Sequence, residues 1–325
     1  YYADIGTIIE GPGFYHREGV FSDTFPRRVL TPVPSSYLKI QEGCNNRCHY
    51  CTIPSIRGSL TSRPARDVVR EFRWLLDNGY REINIIGQDI TSYGTENERK
   101  ETLAGLIRSL LNETGEFYLR LLYMHPKGIT RELIDVMRSD ARIIPYLDVP
   151  IQHSEDRILS LMGRGHTKAY LVETLEMMRD RLPGAVLRTS IIVGFPTETD
   201  EEFNGLLAFL AQYPFDMLGA FRYAREEGTP AYRLKGQVAK KIKNDRYVRL
   251  MEAQKEISRA RLARLKDMEV KIIVENDAED PKTGRMLLQA PDIDGVAFIK
   301  GRCRAGGICD AKVLKTLDYD VVVEV

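Results

Sequence analysis

The chain has 325 residues, 43% of them hydrophobic and 29% charged, with a net charge of +1. That length fits one large domain plus a small one with a sizeable core, and the near-neutral charge gives no global pull toward nucleic acid. No apolar run reaches the roughly 18 residues of a membrane span and no signal-peptide pattern opens the chain, so a membrane partner is not expected.

The sequence starts Tyr1-Tyr2 without a methionine, and residues 1–33 are rich in Gly, Pro and aromatics with no sustained period. They read as a linker or the tail of a missing domain. From Tyr37 onward β-type runs alternate with amphipathic ones. The expected strands are Tyr37–Ile40, Ile83–Ile86, Phe117–Leu122, Tyr146–Val149, Val186–Val193 and Met217–Tyr223. The expected helices lie near Asp67–Leu76, Leu103–Leu111, Arg131–Arg138, Asp156–Met162, Leu171–Arg181 and Glu201–Tyr213. Ser62 with Pro64 suits a helix start, and Thr199 with Glu202 a capping box. Six β-α units imply an α/β fold with a parallel sheet. Six is fewer than the eight of a closed barrel, so an open partial (βα)6 TIM-like barrel is expected.

Gln237–Lys266 is helical in composition and carries ten Lys/Arg against three acids, Asp245, Glu252 and Glu256. It is either a solvated helix face or an RNA-facing surface. Beyond it, Val270–Val274, Met286–Leu288, Val296–Ile299, Ala311–Leu317 and Tyr319–Val325 are short strand-like runs between turns. They predict a small all-β barrel of the oligonucleotide-binding (OB-like) kind. The expected division is 1–33 linker, 34–262 large domain and 263–325 small barrel. From Lys266 to Val325 nine Lys/Arg face twelve Asp/Glu, a net charge of −3.

Three of the five cysteines, Cys44, Cys48 and Cys51, stand in a C-x3-C-x2-C run. Such clustering suits a reducing cytoplasm better than a disulfide scaffold. Three thiolates this close can hold three corners of a cube-shaped iron–sulfur cluster and leave one iron open. Electron-transfer clusters ordinarily use four protein thiolates, so an open iron points to a bound small molecule. Zinc is the competing reading, with His49 as a fourth ligand. In parallel β-α folds ligands gather at the carboxyl ends of the strands, and the cysteines follow the first one. Other strand ends carry Gly87-Gln88-Asp89, then Gln152-His153, then Arg188, Ser190, Gly194 and Phe195. Arg188 inside an apolar strand needs a carboxylate, the ligand's or the protein's. Gly194 would let backbone approach a ligand. Arg57 and Arg63 could neutralise cluster charge or hold substrate, and Arg57, Gln152 and Arg225 are candidates for substrate contact.

The cysteine spacing resembles that of the radical S-adenosylmethionine (SAM) enzymes, and Tyr50 resembles the aromatic residue that they place before the last cysteine. Ser36–Asn45, Ile53–Gly58, Ser62-Arg63-Pro64, Gln152-His153-Ser154, Asp156–Leu159, Met162-Gly163-Arg164 and Leu187–Pro196 are similar to the methylthiotransferases of that group. The similarity covers about residues 30–325 and includes a terminal barrel that resembles a TRAM domain. Ile53–Gly58, Gln152-His153, Glu227–Pro230 and Ala290–Gly295 resemble the branch that modifies an aspartate of ribosomal small-subunit protein twelve. The alternative is the branch that modifies tRNA adenosine. An acidic barrel matches a basic ribosomal protein better than tRNA, while the basic helix before it is contrary.

The resemblance implies a [4Fe-4S] cluster on Cys44, Cys48 and Cys51 as both metal ligands and catalytic residues. It implies SAM held by Tyr50, Gly87, Gln88, Asp89, Gln152, Arg188, Ser190, Gly194 and Phe195, with Gly87–Asp89 at the amino group of its methionine part. The reduced cluster would cleave SAM to methionine and a 5′-deoxyadenosyl radical, which would take hydrogen from the aspartate β-carbon before sulfur and a methyl group are added. It further implies an electron donor such as flavodoxin and an N-terminal domain with three more cysteines for a second [4Fe-4S] cluster. No cysteine precedes Cys44; the chain is therefore read as a fragment that binds one cluster and does not complete methylthiolation alone. A non-enzymatic RNA- or ribosome-binding module with a structural metal is the reading from another class.

Overall fold

The computed structural model describes residues 29–98 and 101–325; residues 1–28 of the expected linker lie outside them. The first strand, β1 (Ser35–Lys39), runs into a short β2 (Gln41–Glu42) that pairs antiparallel with β3 (Thr61–Ser62). The cysteine loop and a short helix, α1 (Ile53–Arg57), span the gap between β2 and β3. Helix and strand then alternate: α2 (Ala65–Asp77), β4 (Glu82–Ile86), α3 (Leu103–Leu111), β5 (Tyr118–Leu121), α4 (Arg131–Ser139), β6 (Ile143–Asp148), α5 (Asp156–Leu161), α6 (Lys168–Arg181), β7 (Val186–Val193), α7 (Asp200–Gln212) and β8 (Met217–Arg222). Six strands pair in the order β1-β4-β5-β6-β7-β8, all parallel. This is the open six-unit sheet that the alternation predicts.

Strand alternation gives the sheet two different faces. Ile83, Ile85, Leu119, Leu121, Leu147, Leu187 and Ile191 pack with Phe72, Leu106, Leu133, Leu175 and Phe203 of the helices. The other face carries Tyr37, Glu82, Arg120, Tyr146 and Arg188. Thr199 and Glu202 form the capping box of α7. The expected Ser62 cap does not form, because Ser62 belongs to β3 and the N-cap of α2 is Pro64, which has no side-chain hydrogen bond to give.

Helix α8 (Lys240–Leu262) lies along β7 and β8 and buries Arg246, Leu250, Gln254, Ser258 and Leu262, a face repeating every four residues. Four of its eight Lys/Arg form ion pairs with carboxylates among the described residues. Arg246 bridges Glu198 at 3.0 Å and Asp200 at 2.8 Å. Lys255 and Arg259 both reach Asp318, at 2.8 and 2.6 Å, and Arg261 reaches Asp216 at 2.5 Å. These pairs favour the plain reading of the basic stretch over an RNA-facing one.

After α8 come β9 (Glu269–Asn276), β10 (Lys282–Met286), β11 (Ala297–Lys300), β12 (Ile308–Thr316) and β13 (Val321–Glu324), closed into a barrel in the order β10-β11-β13-β12-β9. The expected strand Met286–Leu288 is displaced. The strand is the more polar run before it, where Gly284 lies so close to Ile273 that a Cβ would sit 2.0 Å from the Ile273 carbonyl oxygen. Leu287 instead leaves the barrel and packs with Ile273 and Ala290 against Leu122, Ile144 and Tyr146 of the sheet.

Polar groups fix that seat. The Glu82 carboxylate, fully buried in β4, pairs with Arg120 of β5 at 2.9 Å and with Arg285 of β10. Arg285 also donates to Ser35 Oγ at 3.0 Å and to the Gln289 carbonyl at 3.0 Å, and Arg120 donates to the Leu287 carbonyl at 2.5 Å. Tyr146 donates to Asp294 at 2.7 Å. The small barrel is thus locked to the sheet face opposite the helices. No helix among the described residues is long and apolar enough to cross a membrane.

Candidate active site

A cavity of about 370 Å³ opens where the carboxyl ends of the parallel strands meet the cysteine loop. Its wall includes Cys44, Cys48, Tyr50 and Cys51 from the loop, Gln88 and Asp89 beyond β4, Gln152 beyond β6, and Ser190 on β7. Residues as far apart in sequence as Cys44 and Phe221 thereby meet in one ligand-sized site.

Backbone hydrogen bonds help to fasten the loop. Cys44 N donates to Gly58 O at 3.3 Å, His49 N to Met162 O at 2.9 Å, and Ala231 N to His49 O at 2.8 Å. Gly43 is needed for this path: its φ is +72°, and a Cβ there would sit 2.2 Å from Ser59 O. We expect Gly43→Ala to displace Cys44 and lower the iron bound after anaerobic reconstitution by at least half, with circular dichroism unchanged; full iron loading would contradict this account of the loop. His49 turns its Nδ1–H to Leu161 O at 2.8 Å and does not line the cavity, so it is not placed as a fourth zinc ligand. Nor do any three His, Cys, Asp or Glu side chains among the described residues converge as ligands of a single ion. Burial raises the Cys44 and Cys51 thiols above the ordinary cysteine value, so metal binding there releases protons.

Asp89 faces the cavity with its carboxylate already occupied. It accepts from Asn46 Nδ2 at 2.6 Å, Ser92 Oγ at 2.7 Å, Thr91 Oγ1 at 2.5 Å, Thr91 N at 3.1 Å and His125 N at 3.3 Å. It ties the cysteine loop to the ends of β4 and β5. Gln88 is the freer group: its amide N donates to Glu42 at 3.1 Å, while its Oε1 is buried without a partner among the described residues. Gln152 holds a left-handed φ of +69°, and so does Tyr123 at +62°. Two strained non-glycine residues in one cavity wall mark it as a built site.

Four residues expected at the ligand lie outside the cavity wall. A Cβ on Gly87 would meet Gln41 Cγ at 2.6 Å, so that glycine serves packing. Arg188 finds its carboxylate in the protein, Asp148 at 2.9 Å and Asp294 of the small barrel at 3.7 Å. Gly194 lies against Lys243 of α8, and Phe195 is fully buried against Tyr223. Among the arginines, Arg63 is buried and bridges Glu71 at 2.5 Å, Arg57 is exposed beside Glu42, and Arg225 stacks on Tyr232. His153 is fully buried, its Nδ1 accepting from Glu155 N at 3.0 Å, and burial lowers it to about 3.

Comparison with known proteins agrees with this geometry. Residues 38–210 match the radical SAM superfamily, and residues 268–325 match the TRAM domain. The ribosomal protein uS12 methylthiotransferase RimO of Geobacter sulfurreducens is 44% identical over 310 residues, which are 94% of this chain and 69% of that protein. The protein of the same name from Dictyoglomus thermophilum is 41% identical over 309 residues, 94% of this chain and 70% of that protein. The chain belongs to the RimO methylthiotransferase family. A solved radical SAM methyltransferase, TsrM of Kitasatospora setae, shares the fold at TM-score 0.51 and 18% identity, over 63% of this chain and 42% of that one.

The RimO-type site also contains residues that sequence reasoning passed over. Asn46, Ile53, Tyr123, Met124, His125, Pro150, Arg164, Ile192 and Phe221 complete the wall. His125 follows β5 as the other site groups follow their strands, a signal open to reading. Arg164 comes from the turn after α5, and only the Met162-Gly163-Arg164 motif hinted at it. Burial and the Arg164 charge lower His125 to about 3, and burial with the same charge lowers His166 to about 4. Both imidazoles are neutral near pH 7.

Proposed function

We propose that this chain carries the radical-generating part of an enzyme that methylthiolates the β-carbon of an aspartate in ribosomal small-subunit protein twelve (uS12), with a [4Fe-4S] cluster on Cys44, Cys48 and Cys51 and SAM bound beside it. The observation that carries this is the meeting of all three thiols with Tyr50, Gln88, Gln152 and Ser190 in one cavity. When bound, the cluster supplies the electron that cleaves SAM, and SAM supplies the hydrogen-abstracting radical.

The chain's own residues hold these groups. The unpartnered Gln88 Oε1 offers an acceptor for the ammonium of SAM. Gln152 and Ser190 add polar contacts from β6 and β7, and Asp89 acts through Asn46 to set the loop. Met124, Ile192, Phe221 and Tyr123 give the wall an apolar side. An unactivated C–H bond has no acidic proton to remove, so the reaction needs no acid/base pair.

The division 34–262 and 263–325 makes the first segment the radical SAM domain and the second a TRAM domain for docking. The net charge of −3 over Lys266–Val325 favours a basic protein partner. A flavodoxin-like electron donor is the fitting reductant in a cytoplasmic setting. The second [4Fe-4S] cluster belongs to the part of the relatives that the match does not cover; Cys303 and Cys309, free thiols packed against the small barrel's core, are not its ligand set. The test supplies reconstituted, reduced protein with SAM and either a uS12 loop peptide or tRNA. Stimulation of 5′-deoxyadenosine release by the peptide alone is expected; stimulation by tRNA alone would shift the reading to the tRNA branch.

A further inference from the structure

A buried guanidinium needs an anion, because an unpaired charge inside a protein costs several kcal/mol. Arg164 is only 5% exposed, and among the described residues no carboxylate lies within salt-bridge distance of it. Its Nη2 donates to the Pro150 carbonyl at 2.7 Å, and its Nη1 lies 3.4 Å from both Cys48 Sγ and Tyr50 Oη. Its Nε is buried with no acceptor. The surroundings hold it there. Arg164 N donates to Leu159 O at 3.0 Å, and the preceding Gly163, with φ +68°, passes so close to the cysteine loop that a Cβ would sit 2.7 Å from Arg47 O. The positive charge is built into the wall of the cysteine site, beside the Cys48 sulfur.

We propose that Arg164 is the fixed counter-charge of the iron–sulfur cluster and raises its reduction potential. The inference rests on the cluster reading above. Reduction makes the cluster and its three thiolates one charge more negative, and a cation in contact with a ligand sulfur stabilises that state more than the oxidised one. Net charge, hydrogen bonds to the sulfurs and solvent exposure are what set such potentials. Arg164 supplies the first two and, by filling the wall, limits the third. It eases electron entry; it does not touch the transferred hydrogen.

The test is a redox titration of the reconstituted chain without SAM, followed by electron paramagnetic resonance, for the parent, Arg164→Gln and Arg164→Lys. Glutamine should lower the reduced-to-oxidised ratio at the parent's midpoint by about tenfold, a negative shift of about 59 mV for one electron. Lysine, which keeps the charge but not the fork, should stay closer to the parent. A glutamine variant that holds its iron with the parent's midpoint would overturn the proposal. If the glutamine variant loads no iron while the lysine variant does, the charge is required for assembly and the proposal stands. If both lose iron while circular dichroism matches the parent, the side chain acts through shape and the proposal fails. Absence of iron from the parent would count against the cluster itself.

Discussion

Cys48→Ala is expected to leave the fold intact and to take 5′-deoxyadenosine formation to background. The fold should survive because the loop is tied by backbone bonds from Cys44 to Gly58, His49 to Met162 and Ala231 to His49, none of which uses the Cys48 thiol. Activity should not survive, since even groups that only orient metal ligands cost about 10–100-fold when removed. Iron analysis, circular dichroism and product chromatography on the same preparation separate the two effects. A variant with full iron and parent-level deoxyadenosine would remove Cys48 from the site.

Glu82→Gln should be the most destabilising single change outside the core, at roughly 3–5 kcal/mol. It leaves the buried Arg120 with no ion-pair partner among the described residues and the buried Arg285 with Glu275 alone, at 2.8 Å, and it loosens the seat of the small barrel on the sheet. A pH signature accompanies it. Burial alone would raise the Glu82 carboxyl, but hydrogen bonds and charge from Arg285 and Arg120 outweigh it and hold the group at about 2. The folded value therefore lies below the unfolded one of about 4.3. The stabilisation is complete above that unfolded value and is lost as pH falls from there toward 2. Urea midpoints should fall with acid in the parent along this interval, and the difference between parent and Glu82→Gln should shrink. A difference that stays constant from pH 6 to pH 3 would show that Glu82 does not titrate in this way.

What the sequence displayed was mostly local. The alternation from Tyr37 to Tyr223 is a short-range pattern, and strands within a few residues of those expected follow from it. The three cysteines were legible as a group because they are close in sequence, and all three line the cavity. Gln88, Gln152 and Ser190 were legible because a rule about strand ends located them. What the sequence did not display was the partner of a residue when that partner is distant. Arg188 needed a carboxylate, and sequence could not say that Asp148 and Asp294 supply it. Gly87 and Gly194 read as openings for a ligand, yet each is explained by one neighbouring side chain, Gln41 and Lys243. Arg164 stayed hidden because it reaches Cys48 from 116 positions away, off a turn rather than a strand end. The joint between Glu82 and Arg285 spans 203 positions and left no periodic trace.

The central claim is that this cavity directs a SAM-derived radical to the β-carbon of an aspartate. The most direct measurement supplies a uS12 loop peptide deuterated at that carbon to the reduced, reconstituted protein with SAM, and determines deuterium in the 5′-deoxyadenosine by mass spectrometry. Deuterium in the product, absent with Cys48→Ala, is the predicted result. Deoxyadenosine formed at the parent's full rate with no deuterium would contradict it.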